Sequence, residues 1–407
     1  MVRCMWLLLI TVVHCQELTT TLSNGKEFPL LGMGVGNLQR DRIVDMIEAG
    51  RQVGLRLVDT SHASQNEALV KEAIDKSSNG VVFHVVTKVW YTHLGYERTK
   101  LSVSESLKEL VGDYNLRSSP NIKIHILLHW PRCRNDISWM DCEGEEERLP
   151  PAVKNAGPPP HLDKDHAYLE SWRALEDLYD ENSAIESIGV SNFDINDLEK
   201  LMEHSRITPH ILQGNVWAFL FDPYLMKYCK DHDIHFQAYN VMNGILSQAS
   251  KTPNAYRSLR SVGQELGSVT PAQVVLGWLM QQDVSVIPRT SSMEHLRQNS
   301  AANTCPMLTD KQRNVVQNAV GALLRSVDLN PPKATFVNSN QVVHLFWSHS
   351  ESGEEVPVKE YLQPGESFLT DTHPGHVFVA YDESKVNRKE YQVSAYYGDS
   401  VQFRIEL

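Results

Sequence analysis

Six cysteines among 407 residues, no basic block and no Asn-x-Ser/Thr sequon are what this chain offers by way of absences. The cysteines are too sparse for a disulfide scaffold, and none stands at metal-ligand spacing with histidines, so no metal centre is expected. The formal charge of -12 and pI near 5.8 argue against nucleic acid or an anionic membrane as the main partner. Without a sequon, N-glycosylation is not expected even in a secretory chain. Past the first residues no apolar run is long enough to cross a membrane as a helix.

What is present is ordinary globular composition, 42% hydrophobic and 22% charged, at a length that suits two domains. The N-terminus differs in kind. Arg3 precedes the apolar run Trp6–Val13, and Val13 and Cys15 supply a small-residue exit, which reads as a secretory signal over residues 1–15. The expected destination is secretion or the ER lumen. Cys4 and Cys15 would leave with that segment. Cys133 and Cys142, close together in an irregular stretch, then form a candidate loop disulfide, with two free thiols as the alternative.

The stretch Leu55–Glu67 sets the pattern for the body of the chain. Leu55-Arg-Leu-Val58 is a short apolar strand that breaks into polar residues at Asp59, and a helical segment begins at Glu67. The pattern recurs. Apolar strands are expected near Pro29–Gly36, Leu55–Val58, Val81–Thr87, Ile122–Leu128, Ile185–Val190, Ile211–Leu212, Ile234–Ala238 and Val284–Ile287, with amphipathic helices between them. Near-continuous apolar strands alternating with helices imply a parallel sheet covered on both faces, and eight such units imply a (β/α)₈ TIM barrel. Strands two to eight end in Asp59, Lys88, His129, Ser191-Asn192, Gln213, Tyr239-Asn240 and Arg289-Thr290. In this fold those ends share the face where active sites are built.

The motifs Gly32-Met-Gly34, Asp59-Thr-Ser, Asn66-Glu67, Thr87-Lys88-Val-Trp90, Leu128-His129-Trp-Pro131, Ile188-Gly-Val-Ser-Asn-Phe193, Thr270-Pro-Ala-Gln273 and Ile287-Pro-Arg-Thr290 resemble the aldo-keto reductase family over about residues 17–325. The resemblance implies NADP(H) as cofactor and a small carbonyl compound as substrate. In the family a tyrosine protonates the carbonyl oxygen, a lysine paired with an aspartate lowers the tyrosine's pKa, and a histidine positions the carbonyl. By motif position the aspartate is Asp59, the lysine Lys88 and the histidine His129, but the tyrosine position is Ser64. A serine hydroxyl is a far weaker acid and a much shorter side chain than a tyrosine phenol. His62 and His129 are the candidate substitute donors. Ser191, Asn192 and Gln213 match the residues that hold the nicotinamide carboxamide, Tyr239 the ring that stacks on it, and Asn240 the start of the pyrophosphate loop. Arg289, Thr290 and Asn299 match the adenosine end, with His295 where the family has a second arginine. Three readings follow: an active reductase, a catalytically silent NADP(H)-binding pseudoenzyme, and an extracellular binding protein.

Residues 132–165 form an insertion longer than a usual βα loop, with an acidic run Glu143–Glu147, and would overhang the mouth of the barrel. Asn330-Pro-Pro332 marks a linker over residues 326–333. Alternation in the remainder, residues 334–407, reads as a small all-β sandwich of short antiparallel strands. Asn338, Phe346-Trp347, Tyr361-Leu-Gln-Pro-Gly365 and Thr372-His-Pro-Gly-His376 resemble the β domain of the von Hippel–Lindau tumour-suppressor family. That resemblance implies a peptide or protein partner, although His373 and Phe378 stand where the family pocket has a tyrosine and a tryptophan.

Overall fold

The computed structural model describes residues 18–36, 38–77, 80–112, 121–134, 137, 139–246, 249–300, 306–325, 333–348, 355–372, 376–393 and 400–407. The signal segment 1–15, the linker (save Lys333), Cys305 and His373 lie outside the described residues.

Strands β1 (Thr19–Thr21) and β2 (Glu27–Pro29) form an antiparallel hairpin around Asn24-Gly25, where Gly25 takes the positive φ of 78° that the turn demands. Eight parallel strands follow: β3 (Gly32–Gly34), β4 (Leu57–Asp59), β5 (Phe83–Val89), β6 (Ile122–Leu128), β7 (Ile185–Ser191), β8 (Ile211–Asn215), β9 (His235–Tyr239) and β10 (Ser285–Val286). They pair in chain order, and a parallel bridge between Leu31 and Val286 nearly closes the sheet into a barrel. The strand expected at Ile211–Leu212 runs on to Asn215 because Gln213 and Asn215 point into the barrel and carry the ladder with β9. The one at Val284–Ile287 contracts to two residues.

Helices cover the outside, among them Arg40–Gln52, Glu67–Ser77, Tyr96–Val111, Ala167–Glu181, Ile195–His204, Pro253–Glu265, Pro271–Met280 and Asp310–Arg325. Some of their starts are fixed by side-chain caps. Thr270 Oγ1 accepts from Gln273 N at 3.3 Å while Gln273 Oε1 accepts from Thr270 N at 2.8 Å, a reciprocal cap with Pro271 in the first turn. Asp194 and Asp197 cap Ile195–His204 in the same way.

Alternation sorts the barrel interior into layers. Lowest are His84, His125, Ser187, His235 and Ser285; above them lie Leu57, Val86, Leu127, Ile211 and Ile287; at the top stand Asp59, Lys88, Gln213 and Tyr239. Phe28 from the hairpin, fully buried, closes the lower end against the rings of His125, His235 and His84, with centroids 4.8, 5.8 and 6.3 Å away.

The insertion is not a featureless loop. It carries helices Cys142–Arg148 and Pro151–Asn155, and Cys133 and Cys142 are disulfide-bonded. Its acidic run is put to use: Glu146 takes both ends of the buried Arg98 guanidinium at 2.8 and 2.9 Å, and Glu145 accepts from Trp90 Nε1 at 2.7 Å and from the Tyr91 hydroxyl.

The C-terminal unit has two sheets. Strands β11 (Lys333–Asn338), β14 (Ser367–Asp371) and β17 (Ser400–Ile405) form one, in the order β14-β11-β17. Strands β12 (Val343–Ser348), β13 (Glu355–Leu362), β15 (Val377–Asp382) and β16 (Arg388–Gln392) form the other, in the order β13-β12-β15-β16. Their core holds Phe336, Leu345, Phe378 and Ile405, separate from the barrel's. Contrary to the expectation of antiparallel strands throughout, β11 and β17 pair in parallel. Gln392 Nε2 donates to Asp222 Oδ1 at 2.6 Å, so the two units touch.

Candidate functional site

The sheet brings Asp59, Lys88 and Gln213 together at the upper end of the barrel, from strands far apart in sequence. Lys88 Nζ donates to Asp59 Oδ2 at 2.6 Å and to the Thr60 carbonyl at 2.7 Å. Gln213 Nε2 donates to the same Asp59 oxygen at 2.7 Å and to Gln237 Oε1 at 2.7 Å. Both charged groups are buried, Lys88 being 3% exposed and Asp59 9%. A pair so placed is tolerable only because each partner neutralises the other and further hydrogen bonds complete the shell.

His129 follows β6, its ring set edge-on against Trp90 at 4.8 Å. Its Nδ1 is buried with no hydrogen-bond partner among the described residues. Burial first, and then the Lys88 charge, hold this imidazole well below the ordinary histidine range. It is therefore neutral at pH 7: able to donate a hydrogen bond to a carbonyl oxygen, but not an imidazolium acid.

Ser64 ends a 3₁₀ turn, His62–Ser64, and its hydroxyl pairs with that of Ser61 at 2.7 Å. Its bonds among the described residues include none to Lys88 or His129. The same turn carries His62 away from the strand ends: its Nε2 lies 2.9 Å from Glu105, and its ring packs on His93 at 4.9 Å. His62, a candidate substitute donor above, is thus engaged by Glu105 and His93. Asn66 and Glu67 are structural anchors, Asn66 reaching the Val35 carbonyl at 3.1 Å and Glu67 accepting from Thr87 Oγ1 at 2.5 Å.

The carboxamide-matching residues also converge. Asn192, at φ 60°, donates to the His129 carbonyl at 3.0 Å and to Ser191 Oγ at 3.2 Å, and its oxygen accepts from the Tyr239 hydroxyl at 2.8 Å. Asn240 follows at φ 59° and turns the chain out of β9. Beyond β10, Arg289 is exposed and has no carboxylate partner among the described residues. Thr290 Oγ1 accepts from Ser292 N at 3.0 Å, and the helix Met293–Ser300 carries exposed His295 and buried Asn299. An unpaired guanidinium beside a hydroxyl suits a phosphate.

Sequence reasoning missed two contributors. Gln237 alternates inward with His235 and Tyr239, a signal the apolar residues around it obscured. Trp139, half exposed on the insertion, lies 6.2 Å from the Trp90 ring and 5.8 Å from that of Trp130, which no periodicity could have shown. Among the described residues, no group of three or more His, Cys, Asp or Glu could hold a metal ion, and no helix is long and apolar enough to cross a membrane.

Comparison with known proteins agrees with this arrangement. The profile described as "Aldo/keto reductase family" matches residues 30–320. The NAD(P)H-dependent D-xylose reductase of Kluyveromyces lactis is 27% identical over 331 residues, covering 77% of this chain and 94% of the relative. The NADPH-dependent aldose reductase of Saccharomyces cerevisiae is 28% identical over 329 residues, covering 77% and 95%. Among solved structures, the aldo/keto reductase from Brucella melitensis is similar at a TM-score of 0.58 and 26% identity, over 74% of this chain and 99% of that one.

Proposed function

The chain belongs to the aldo/keto reductase family, and from that premise we propose that it is an NADP(H)-binding protein that reduces small aldehydes or ketones slowly, its proton-donor position being held by Ser64. The observation that carries this is the bonded network Lys88–Asp59–Gln213 at the strand ends, complete except for an acid at position 64. The residues fit the cofactor: Gln213 keeps a free carbonyl oxygen for a carboxamide, Tyr239 offers a ring, and Arg289 with Thr290 suits a 2′-phosphate, with His295 and Asn299 behind them.

When bound, NADPH would supply the hydride to the carbonyl carbon. The chain's own part is to orient and polarise. Neutral His129 donates a hydrogen bond to the carbonyl oxygen, and the Lys88 ammonium, held by Asp59 and the Thr60 carbonyl, stabilises negative charge that develops there. With no phenol to deliver it, the proton that the alkoxide needs would come from solvent water, and turnover should fall short of that of a tyrosine-bearing site by about 10²–10⁴-fold.

The silent reading is favoured by a specific observation: Ser64 is engaged with Ser61, and His62 with Glu105. For the C-terminal unit, a peptide or protein partner is proposed from the von Hippel–Lindau-like residues. Supporting it, Thr372 Oγ1 lies 3.3 Å from His376 Nδ1, and the His376 ring packs 5.4 Å from that of Trp347. An oxidising compartment, the ER lumen before the cell exterior because NADPH is scarce outside cells, is proposed on the signal-like N-terminus and the Cys133–Cys142 disulfide. Fluorescence titration with NADPH followed by an aldehyde panel tests the main reading. Binding with slow turnover supports it, tight binding with no turnover leaves the silent protein, and no binding overturns both.

A further inference from the structure

Gln237 is fully buried inside the barrel, and its Nε2 has no hydrogen-bond partner among the described residues. Leaving a buried donor unsatisfied is unfavourable, and an aliphatic side chain would fill the same space without that penalty. What the glutamine offers instead is its oxygen, which accepts from Gln213 Nε2 at 2.7 Å.

The orientation of both amides follows from one carboxylate. Asp59 Oδ2 already takes Lys88 Nζ at 2.6 Å, and an ionised carboxylate can only accept. Gln213 must therefore turn its NH₂ toward Asp59, where the contact is 2.7 Å. The second hydrogen of that NH₂ goes to Gln237, which must present its oxygen, since its own NH₂ would oppose another. Gln213 Oε1 is left facing away from the Asp59–Gln237 side, with no partner among the described residues.

We propose that Gln237 is a positioning residue that locks Gln213 with its carbonyl oxygen toward the mouth of the barrel, so that the site takes an N–H donor such as a nicotinamide carboxamide. The inference rests on the nucleotide reading above and extends it: the amide that meets the cofactor is set by the Asp59–Lys88 ion pair on one side and by Gln237 on the other. A single change at Gln237 leaves the ion pair intact and removes one of the two bonds that hold the amide.

Calorimetric titration of the intact protein with NADP⁺ and with 2′-phospho-ADP-ribose, which lacks the nicotinamide, tests it. Gln237→Leu should weaken NADP⁺ about tenfold and leave 2′-phospho-ADP-ribose unchanged. Gln237→Glu, whose buried carboxyl keeps an acceptor oxygen in its neutral form, should recover most of the loss. If Gln237→Leu fails to fold, Gln237→Met serves as the second acceptor-free variant. Unchanged NADP⁺ affinity in a folded variant overturns the proposal, as does an equal loss for both ligands. Equal wild-type affinity for the two ligands overturns it while leaving the adenosine end standing. A wild-type protein that binds neither overturns the nucleotide reading itself.

Discussion

At its upper end the barrel holds Lys88, Asp59, Gln213 and His129, and two layers below it holds His84, His125 and His235. Both sets are polar groups drawn from several strands of the barrel and largely withdrawn from water. The upper set is built round an ion pair, and two atoms of its members, His129 Nδ1 and Gln213 Oε1, have no partner among the described residues. The lower set closes on itself: His84 Nδ1 meets His125 Nε2 at 3.0 Å, His125 Nδ1 meets Ser187 at 2.7 Å, and His235 Nε2 meets Ser285 at 2.6 Å. Phe28 seals them in. Residue type therefore separates chemistry from structure less well than two other questions: whether a charge is present, and whether any donor or acceptor is left over.

The largest effect that would sharpen this contrast is acid sensitivity of the lower end. Burial, then the Lys123 charge, lowers the His84 pKa to about 4, and burial lowers that of His235 to about 4 against the upward pull of Asp283. Because the unfolded chain binds these protons at about pH 6.5, stability is complete above that value and is lost as pH falls from about 6.5 to about 4, on the order of 3 kcal/mol per imidazole. Urea midpoints measured across this window should fall steeply, and a flat profile would remove the distinction drawn for the lower layer.

Next in size is Ser64→Tyr at the upper end, expected to raise kcat for aldehyde reduction by about 10²–10⁴-fold in an NADPH-oxidation assay. No gain would mean that the upper network lacks more than a proton donor. Phe28→Ala should destabilise the protein by about 3–5 kcal/mol, read from chemical denaturation, with NADPH affinity unchanged in the folded protein. A change in affinity without one in stability would show the two ends to be coupled. The smallest expected effect is Arg289→Ala, which should reduce discrimination of NADPH over NADH by about tenfold, and more so at low salt. Equal loss for both nucleotides would move the arginine away from the 2′-phosphate.

Much of this was readable in advance, for identifiable reasons. Ile122–Leu128 is an apolar run interrupted only by Lys123 and His125, and the strand has those bounds. Asp59, Lys88 and Gln213 stood out as polar residues at the exits of buried strands. The strand Glu355–Leu362 did not, since it is an edge strand with mostly exposed side chains and no alternation to detect. Arg388–Gln392, charged and at the opposite edge, escaped for the same reason. The partners of the acidic run Glu143–Glu147, namely Arg98, Trp90 and Tyr91, were not legible because they come from a different part of the chain. The partner of His62 was not legible either, because nearness to Ser64 in sequence says nothing about direction, and the side chain meets Glu105 from a helix far along the chain.

By itself the sequence determined the barrel, the β-rich second unit and a serine at position 64. Apolar period, turn chemistry and residue identity are local properties. Only the tertiary structure decided which polar groups are partnered, and so which remain to do anything. That Lys88 and Gln213 share one oxygen of Asp59, that Gln237 fixes an amide, and that three histidines are sealed in by Phe28 all follow from pairing between strands. Hydrogen bonds and charge effects act over a few ångströms of space, and neighbours at that range are set by the closing of the sheet, not by order along the chain.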